Sequence, residues 1–222
     1  MKYGVGYRQK KFLKDKYMIA VVNYGVGNLG SIQNMLKRVS NVETVITNDV
    51  SILNKANKII LPGVGAFDNG MEKIKTSGLL DTLHKIALQD KKPILGICLG
   101  MQMLANGSEE GVLPGLGWID AYSCRFQPGG DNANLKVPHM GWNEVSISKH
   151  HALVNDLPLH SRFYFVHSYY VKCKQPDDIL LTCHYGTDFT CAVQHDNIMG
   201  VQFHAEKSHK FGMQLLKNFA SL

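Results

Sequence analysis

Pro93-Ile94-Leu95-Gly96-Ile97-Cys98-Leu99-Gly100-Met101-Gln102 reads as a short apolar strand, Pro93 to Ile97, that passes directly into a helical run, Met101 to Ala105. Cys98 sits at the junction with Gly96 two residues before it and Gly100 two after. This is a cysteine form of the G-x-S-x-G elbow, in which a sharp strand-to-helix turn presents a nucleophile. Small flanking residues are needed because such a turn presses backbone against neighbouring elements. The start of a helix also favours thiolate over thiol. A buried core cysteine would suit the apolar neighbours but leaves the two glycines and the strand-turn-helix setting unexplained.

Working outward, the amino-terminal half repeats the same rhythm. Met18 to Asn23, Val42 to Thr47 and Lys58 to Leu61 read as strands, a helix is expected from about Gly30 to Ser40, and an amphipathic helix covers Leu79 to Asp90. On the latter, Leu79, Leu80, Leu83, Ile86 and Ala87 share one face. Alternating strands and helices predict a parallel α/β sheet. From about Gly117 the strands come close together without helices between them: Ile119 to Arg125, Asn143 to Ser148, Arg162 to Val166, Tyr170 to Lys174, Ile179 to Tyr185, Thr190 to His195 and Ile198 to Phe203. This half is expected to be antiparallel or mixed sheet. A last helix from about Glu206 to Ser221 carries Phe211, Leu215 and Phe219 on the face that docks on the core.

Composition narrows the class. The 222 residues, 45% hydrophobic and 19% charged, suffice for one full core, and no linker interrupts residues 18–222. No apolar run approaches the ~20 residues of a membrane span, and the amino terminus lacks a secretory apolar stretch, so a cytoplasmic protein without membrane contact is expected. Five cysteines with no C-x-x-C pair argue against a disulfide framework and a zinc site. The net charge of +6 is concentrated in residues 1–16, where six basic residues face Asp15 alone. The body therefore has no basic excess for a nucleic acid. Residues 1–17 read as a basic, disordered extension; its Tyr3-Gly4-Val5-Gly6 recurs at Tyr24 to Gly27, where only the second copy joins a strand to a helix.

A nucleophilic cysteine needs a base, and among ten histidines only context can choose. His204 and Glu206 follow the strand Gly200 to Phe203, and on extended chain residues i and i+2 project to one side. A carboxylate behind the imidazole would fix its tautomer and stabilise the imidazolium. Pro62-Gly63-Val64-Gly65-Ala66-Phe67 also follows a strand, and its backbone can supply an N–H to a tetrahedral oxyanion alongside that of Leu99. It lacks the Gly-Lys-Ser/Thr of a phosphate loop, and Gly25-Val26-Gly27-Asn28 lacks the last glycine of a dinucleotide fingerprint.

PGVGAF, GICLGMQ, VHSYY and VQFHAEKS, in this order and spacing, resemble the class I (triad) glutamine amidotransferases. NYGVGNLGSI and KVPHMGWN look like the branch formed by the glutaminase subunits of imidazole glycerol phosphate synthase, in histidine biosynthesis. The match runs from Met18 to the end. It implies a flavodoxin-like α/β fold: a central, mostly parallel sheet flanked by helices, with additional antiparallel strands in the carboxy-terminal half. It implies that Cys98 forms a γ-glutamyl thioester, that His204 shuttles the proton to departing ammonia, and that Glu206 orients His204. Val64 and Leu99 would be oxyanion donors, the Val64 peptide having first to reorient. Gly65, Gln102, Glu110, Ser168 and Tyr169 would hold glutamine. No cofactor and no metal are implied.

The resemblance also implies a heterodimer with a (β/α)8-barrel cyclase subunit that receives ammonia through a channel, with Asn28, Trp142 and Lys207 at or near the interface. For Trp142 a core position is the plain alternative. The pattern departs at Ala205, where the family commonly has proline; this relaxes the backbone and bears on fine positioning. Three other readings share parts of the pattern: a paralogous ammonia donor for sugar amidination in surface-polysaccharide synthesis, a catalytically silent regulatory subunit, and a dienelactone-type cysteine hydrolase. The first differs only in the acceptor, which the partner binds. The second is opposed by the presence of Cys98, His204 and Glu206 together, and the third has no use for Gln102 or the PGVG loop.

Overall fold

The computed structural model describes residues 17–127 and 135–222. The expectation for residues 1–17 therefore falls outside the described residues except at Tyr17. Among the described residues one eleven-stranded sheet is formed. Its parallel part comprises β1 (Met18–Val22), β2 (Glu43–Thr47), β3 (Lys58–Gly63), β4 (Ile94–Cys98) and β11 (Ile198–Val201), in the order β2-β1-β3-β4-β11. β3, β4 and β11 are buried along their whole length, which is why they read as unbroken apolar runs.

Alternate residues of these strands feed two cores. Ile19, Val21, Ile60, Leu95 and Ile97 face α1 (Leu29–Val39) and α6 (His209–Ser221). Ala20, Val22, Ile59, Leu61 and Ile94 face α2 (Val50–Lys55), α3 (Phe67–Thr76), α4 (Leu80–His84) and α5 (Leu99–Met103). The period of two along a strand thus produces a three-layer α/β arrangement. Across β11 the sheet turns antiparallel through β10 (Thr187–His195), β9 (Ile179–Tyr185), β6 (His139–Ile147) and β7 (Arg162–His167), with β5 (Ala121–Arg125) and β8 (Tyr169–Cys173) paired beside them. No helix of the described residues is long and apolar enough to cross a membrane.

Several expectations need correction. α2 and α3 are helices that the pattern did not signal; α2 is held by Asp49, whose side chain accepts the N–H groups of Ser51 and Ile52. The expected helix over Leu79–Asp90 is α4 followed by a wider π turn, Lys85–Gln89. β6 starts at His139 rather than Asn143, because it pairs with β7 along its first six residues. α6 begins at His209, and Glu206 lies instead in a 3-10 turn, Ala205–Lys207. Glu206 is therefore not on extended chain, and the turn, not strand alternation, brings it beside His204.

Candidate active site

The strand register assembles the site at the carboxyl ends of the parallel strands. Gly63 pairs with Cys98, and Val201 lies opposite Ile97, so Gln202 and His204 leave β11 on the same level as the elbow. This is the edge where open α/β sheets bind ligands. Cys98 has φ +55° and ψ −113°, a strained conformation at the turn from β4 into α5. A Cβ at Gly96 would lie 2.7 Å from the carbonyl oxygen of Gly100, and one at Gly100 only 1.9 Å from that of Leu61. The two glycines that flank the cysteine are thus required by backbone contact.

His204 is almost wholly buried and its Nδ1 bonds Glu206 Oε1 at 2.8 Å. Because a carboxylate only accepts, Nδ1 carries the proton, and Cys98 shares the cavity with the ring and interacts with it electrostatically. Burial opposes a charge on the ring, but the interactions with Cys98 and Glu206 outweigh it and raise His204 to about 10. The backbone of His204 is fixed to β7: its N–H donates to the Tyr164 carbonyl at 2.9 Å, while Ser208 Oγ donates to the His204 carbonyl and accepts from the Tyr164 N–H.

Cys98 and His204 open into a cavity of about 340 Å³ lined also by Val64, Gly65, Leu99, Gln102, Glu110, Ser168 and Tyr169. All residues expected to hold substrate or oxyanion are therefore brought together. Gln102 Nε2 donates to the Tyr169 carbonyl and to Gln202 Oε1, at 3.1 and 3.0 Å. Glu110 Oε2 accepts the Phe67 N–H at the start of α3, at 2.9 Å. Gly65 has φ +94° with open space around its Cα, whereas a Cβ at Gly63 would meet the Gly100 nitrogen at 2.7 Å. The loop bearing Val64 is clamped at one end and free at the other.

The three residues expected at a partner interface lie elsewhere than in the cavity. Trp142 is 39% exposed, so it is not a core aromatic; it stacks on His209 at 5.3 Å and meets Tyr164 edge-on. The Lys207 ammonium lies 5.9 Å from the Tyr164 ring centre. Asn28 precedes α1, which packs on the turn that holds Lys207.

Sequence reasoning passed over four residues of the site. Tyr24, buried, donates its hydroxyl to the Pro62 carbonyl. Gln202, fully buried, donates to Cys98 Sγ at 3.8 Å. His139 and His167 form a buried pair beside Tyr169. The available signal was a polar side chain at or just beyond the end of a strand, which is weak until the partner atoms are known.

An elbow cysteine, a histidine held by a carboxylate and glycine-rich N–H groups over a cavity are the groups that acyl transfer to a cysteine nucleophile requires, here set on a mixed α/β sheet. The chain belongs to the class I glutamine amidotransferase family, whose description, Glutamine amidotransferase class-I, matches residues 20–221. It is 55% identical over 205 residues to imidazole glycerol phosphate synthase subunit HisH 2 of Pseudomonas aeruginosa, covering 92% of this chain and 100% of that protein. It is 54% identical to subunit HisH 2 of Methanococcus maripaludis, covering 91% and 98%. Among solved structures, PurLQS of Thermotoga maritima superimposes with a TM-score of 0.68 at 17% identity, covering 93% of this chain and 98% of that one. A glutamine amidotransferase of the same organism gives 0.63 at 17% identity, covering 86% of this chain and 76% of that one. These two show the fold.

Proposed function

We propose that the chain hydrolyses glutamine to glutamate and ammonia at Cys98 and hands the ammonia to a (β/α)8-barrel cyclase subunit in histidine biosynthesis. The observation that carries the chemistry is the buried His204–Glu206 bond behind an elbow cysteine that opens into the cavity. The acceptor and partner rest on the likeness to the HisH proteins.

Cys98 Sγ attacks the γ-carbonyl carbon of glutamine, and the carbonyl oxygen takes up the negative charge. The N–H of Leu99 and, after its peptide turns, that of Val64 receive this oxyanion; the open space at Gly65 leaves room for the turn. His204 gives its proton to the departing nitrogen, ammonia leaves, and a thioester remains. His204 then takes a proton from water, which attacks the thioester and releases glutamate and the thiolate. Glu206 keeps the imidazole in the right tautomer throughout. Both Gln102 amide protons are engaged, so its carbonyl oxygen is the group left for the substrate. Glu110 and the Ser168–Tyr169 backbone complete the glutamine pocket. Channelling keeps ammonia from water, where at neutral pH it would be protonated and non-nucleophilic. Trp142, Lys207 and Asn28 would face the cyclase.

The test is glutamine hydrolysis by the chain alone and with the cyclase subunit plus its nucleotide ligand, with Cys98→Ala as the blank. Cys98-dependent hydrolysis that the cyclase strongly stimulates is expected. Hydrolysis indifferent to the cyclase would move the acceptor to another pathway such as sugar amidination, and a folded but inactive chain would sink the glutaminase reading.

A further inference from the structure

His139 and His167 come from the two segments, KVPHMGWN and VHSYY, whose histidines the mechanism does not use. They are register partners in the β6–β7 ladder and are 2% and 6% exposed. His167 lines the same cavity as Cys98.

The proton positions in this pair follow from the one partner that can only accept. His167 Nδ1 lies 2.8 Å from the Tyr169 carbonyl oxygen, so Nδ1 carries the hydrogen and Nε2 offers a lone pair. His139 Nδ1, 3.0 Å from that Nε2, must then be the donor. This leaves His139 Nε2 as an acceptor, and Asn143 Nδ2 stands 3.4 Å from it while also donating to the His184 carbonyl at 2.8 Å. Every bond therefore points the same way, from Asn143 through His139 and His167 to Tyr169. Burial pushes His139 down to about 4 and His167 to about 3, so both rings are neutral at physiological pH. A second cation beside His204 is thereby avoided.

The far end of the relay meets the substrate pocket. The Tyr169 carbonyl receives both His167 Nδ1–H and Gln102 Nε2–H, which fills its two lone pairs. The carbonyl of Ser168 is held by the Phe126 N–H at 3.0 Å. The rings are themselves fixed: His139 stacks between Phe165 and Tyr185, at 4.7 and 4.0 Å between centres.

We propose that Asn143, His139 and His167 are positioning residues, a one-way hydrogen-bond relay that holds the Ser168–Tyr169 turn and Gln102 in the geometry that binds glutamine. The inference rests on the glutamine reading above. The relay touches no reacting atom, so its loss raises KM for glutamine and leaves kcat nearly intact. Loss of general packing would instead lower stability and kcat together.

The experiment measures steady-state glutamine hydrolysis in the complex with the cyclase subunit plus its nucleotide, with thermal unfolding of each variant. His139→Phe keeps a ring between Phe165 and Tyr185 but removes the donor to His167. A KM increase of about tenfold, the equivalent of one neutral hydrogen bond, with kcat within about threefold of wild type, is expected. His167→Leu should raise KM at least as much, while His167→Asn, whose amide can still donate to the Tyr169 carbonyl, should recover most of the affinity. A folded His139→Phe with wild-type KM, or a fall in kcat alone, overturns the relay. Should His139→Phe not fold, equal KM values for His167→Asn and His167→Leu overturn it instead. Absence of Cys98-dependent hydrolysis in the wild-type complex would overturn the glutamine reading itself, and the two failures are thus told apart.

Discussion

The Cα of Gly100 stands so close to Leu61 that an added Cβ would lie 1.9 Å from the Leu61 carbonyl oxygen. The neighbour is backbone of a central buried strand and cannot move aside. Gly100→Ala should therefore cost on the order of 3 kcal/mol or more in urea unfolding and abolish glutamine hydrolysis by displacing the elbow. Gly30→Ala is the control: nothing lies within 4 Å of its added Cβ, and in α1 it should stabilise by about 0.5–1 kcal/mol. Equal effects of the two substitutions would contradict the packing argument.

Glu206→Gln keeps a hydrogen-bond acceptor for His204 but removes the charge. kcat is expected to fall by a factor of about 100 or more, since the amide can also hold the wrong tautomer. Hydrogen bonding and charge from Cys98 and Glu206 hold His204 up at about 10 against burial. Taking one of them away lowers the imidazolium pKa, so the alkaline limb of the kcat/KM profile should shift to lower pH. A profile of unchanged shape would show that Glu206 does not act on His204.

Tyr24 hands its hydroxyl proton to the Pro62 carbonyl, and a Cβ on Gly63 would sit 3.0 Å from the same hydroxyl oxygen. Burial, and the nearby Cys98, keep the phenol well above its ordinary value, so it stays a donor. Tyr24→Phe should free the clamped end of the Val64 loop and lower kcat about tenfold, the worth of roughly one hydrogen bond in the transition state. KM should change little. An unaltered kcat would separate Tyr24 from the oxyanion loop.

Lys58, fully buried at the start of β3, donates to the carbonyls of Phe219 and Ala220 at the end of α6, each at 2.8 Å. Lys58→Met should destabilise by about 1–3 kcal/mol, as expected for buried acceptors left without donors, with hydrolysis unaffected. Burial lowers Lys58 to about 8, so the unfolded chain holds this proton more tightly than the folded one. Wild type should therefore gain stability relative to Lys58→Met as pH rises from about 8 towards 10.5, the ordinary lysine value. A pH-independent difference would mean that Lys58 is not desolvated.

The elements that sequence reading located are those whose signal is local. The strand-turn-helix at Cys98, the apolar runs of β1, β3, β4 and β11, and the helix α1 are each written in consecutive residues, because burial on both faces demands unbroken apolar strands. The pair His204 and Glu206 was legible as well, although by a 3-10 turn and not by strand alternation. α2 and α3 escaped because their polar residues obscure the period, and α2 depends on the Asp49 side chain to begin.

Order and spacing of the motifs were enough to establish the α/β class, the family and the candidate nucleophile, since glycine at an elbow and the strand period are constraints each segment carries by itself. Tertiary structure alone decided what those segments meet. It placed Gln202 against Cys98, Tyr24 on Pro62, and His139 opposite His167. A polar side chain at or just beyond a strand end acquires meaning only from the atom across the gap, and that atom belongs to residues 28 to 104 positions away along the chain. Desolvation, which keeps His139 and His167 neutral and weakens the hold of Lys58 on its proton, is likewise a property of the packed molecule and not of the segment.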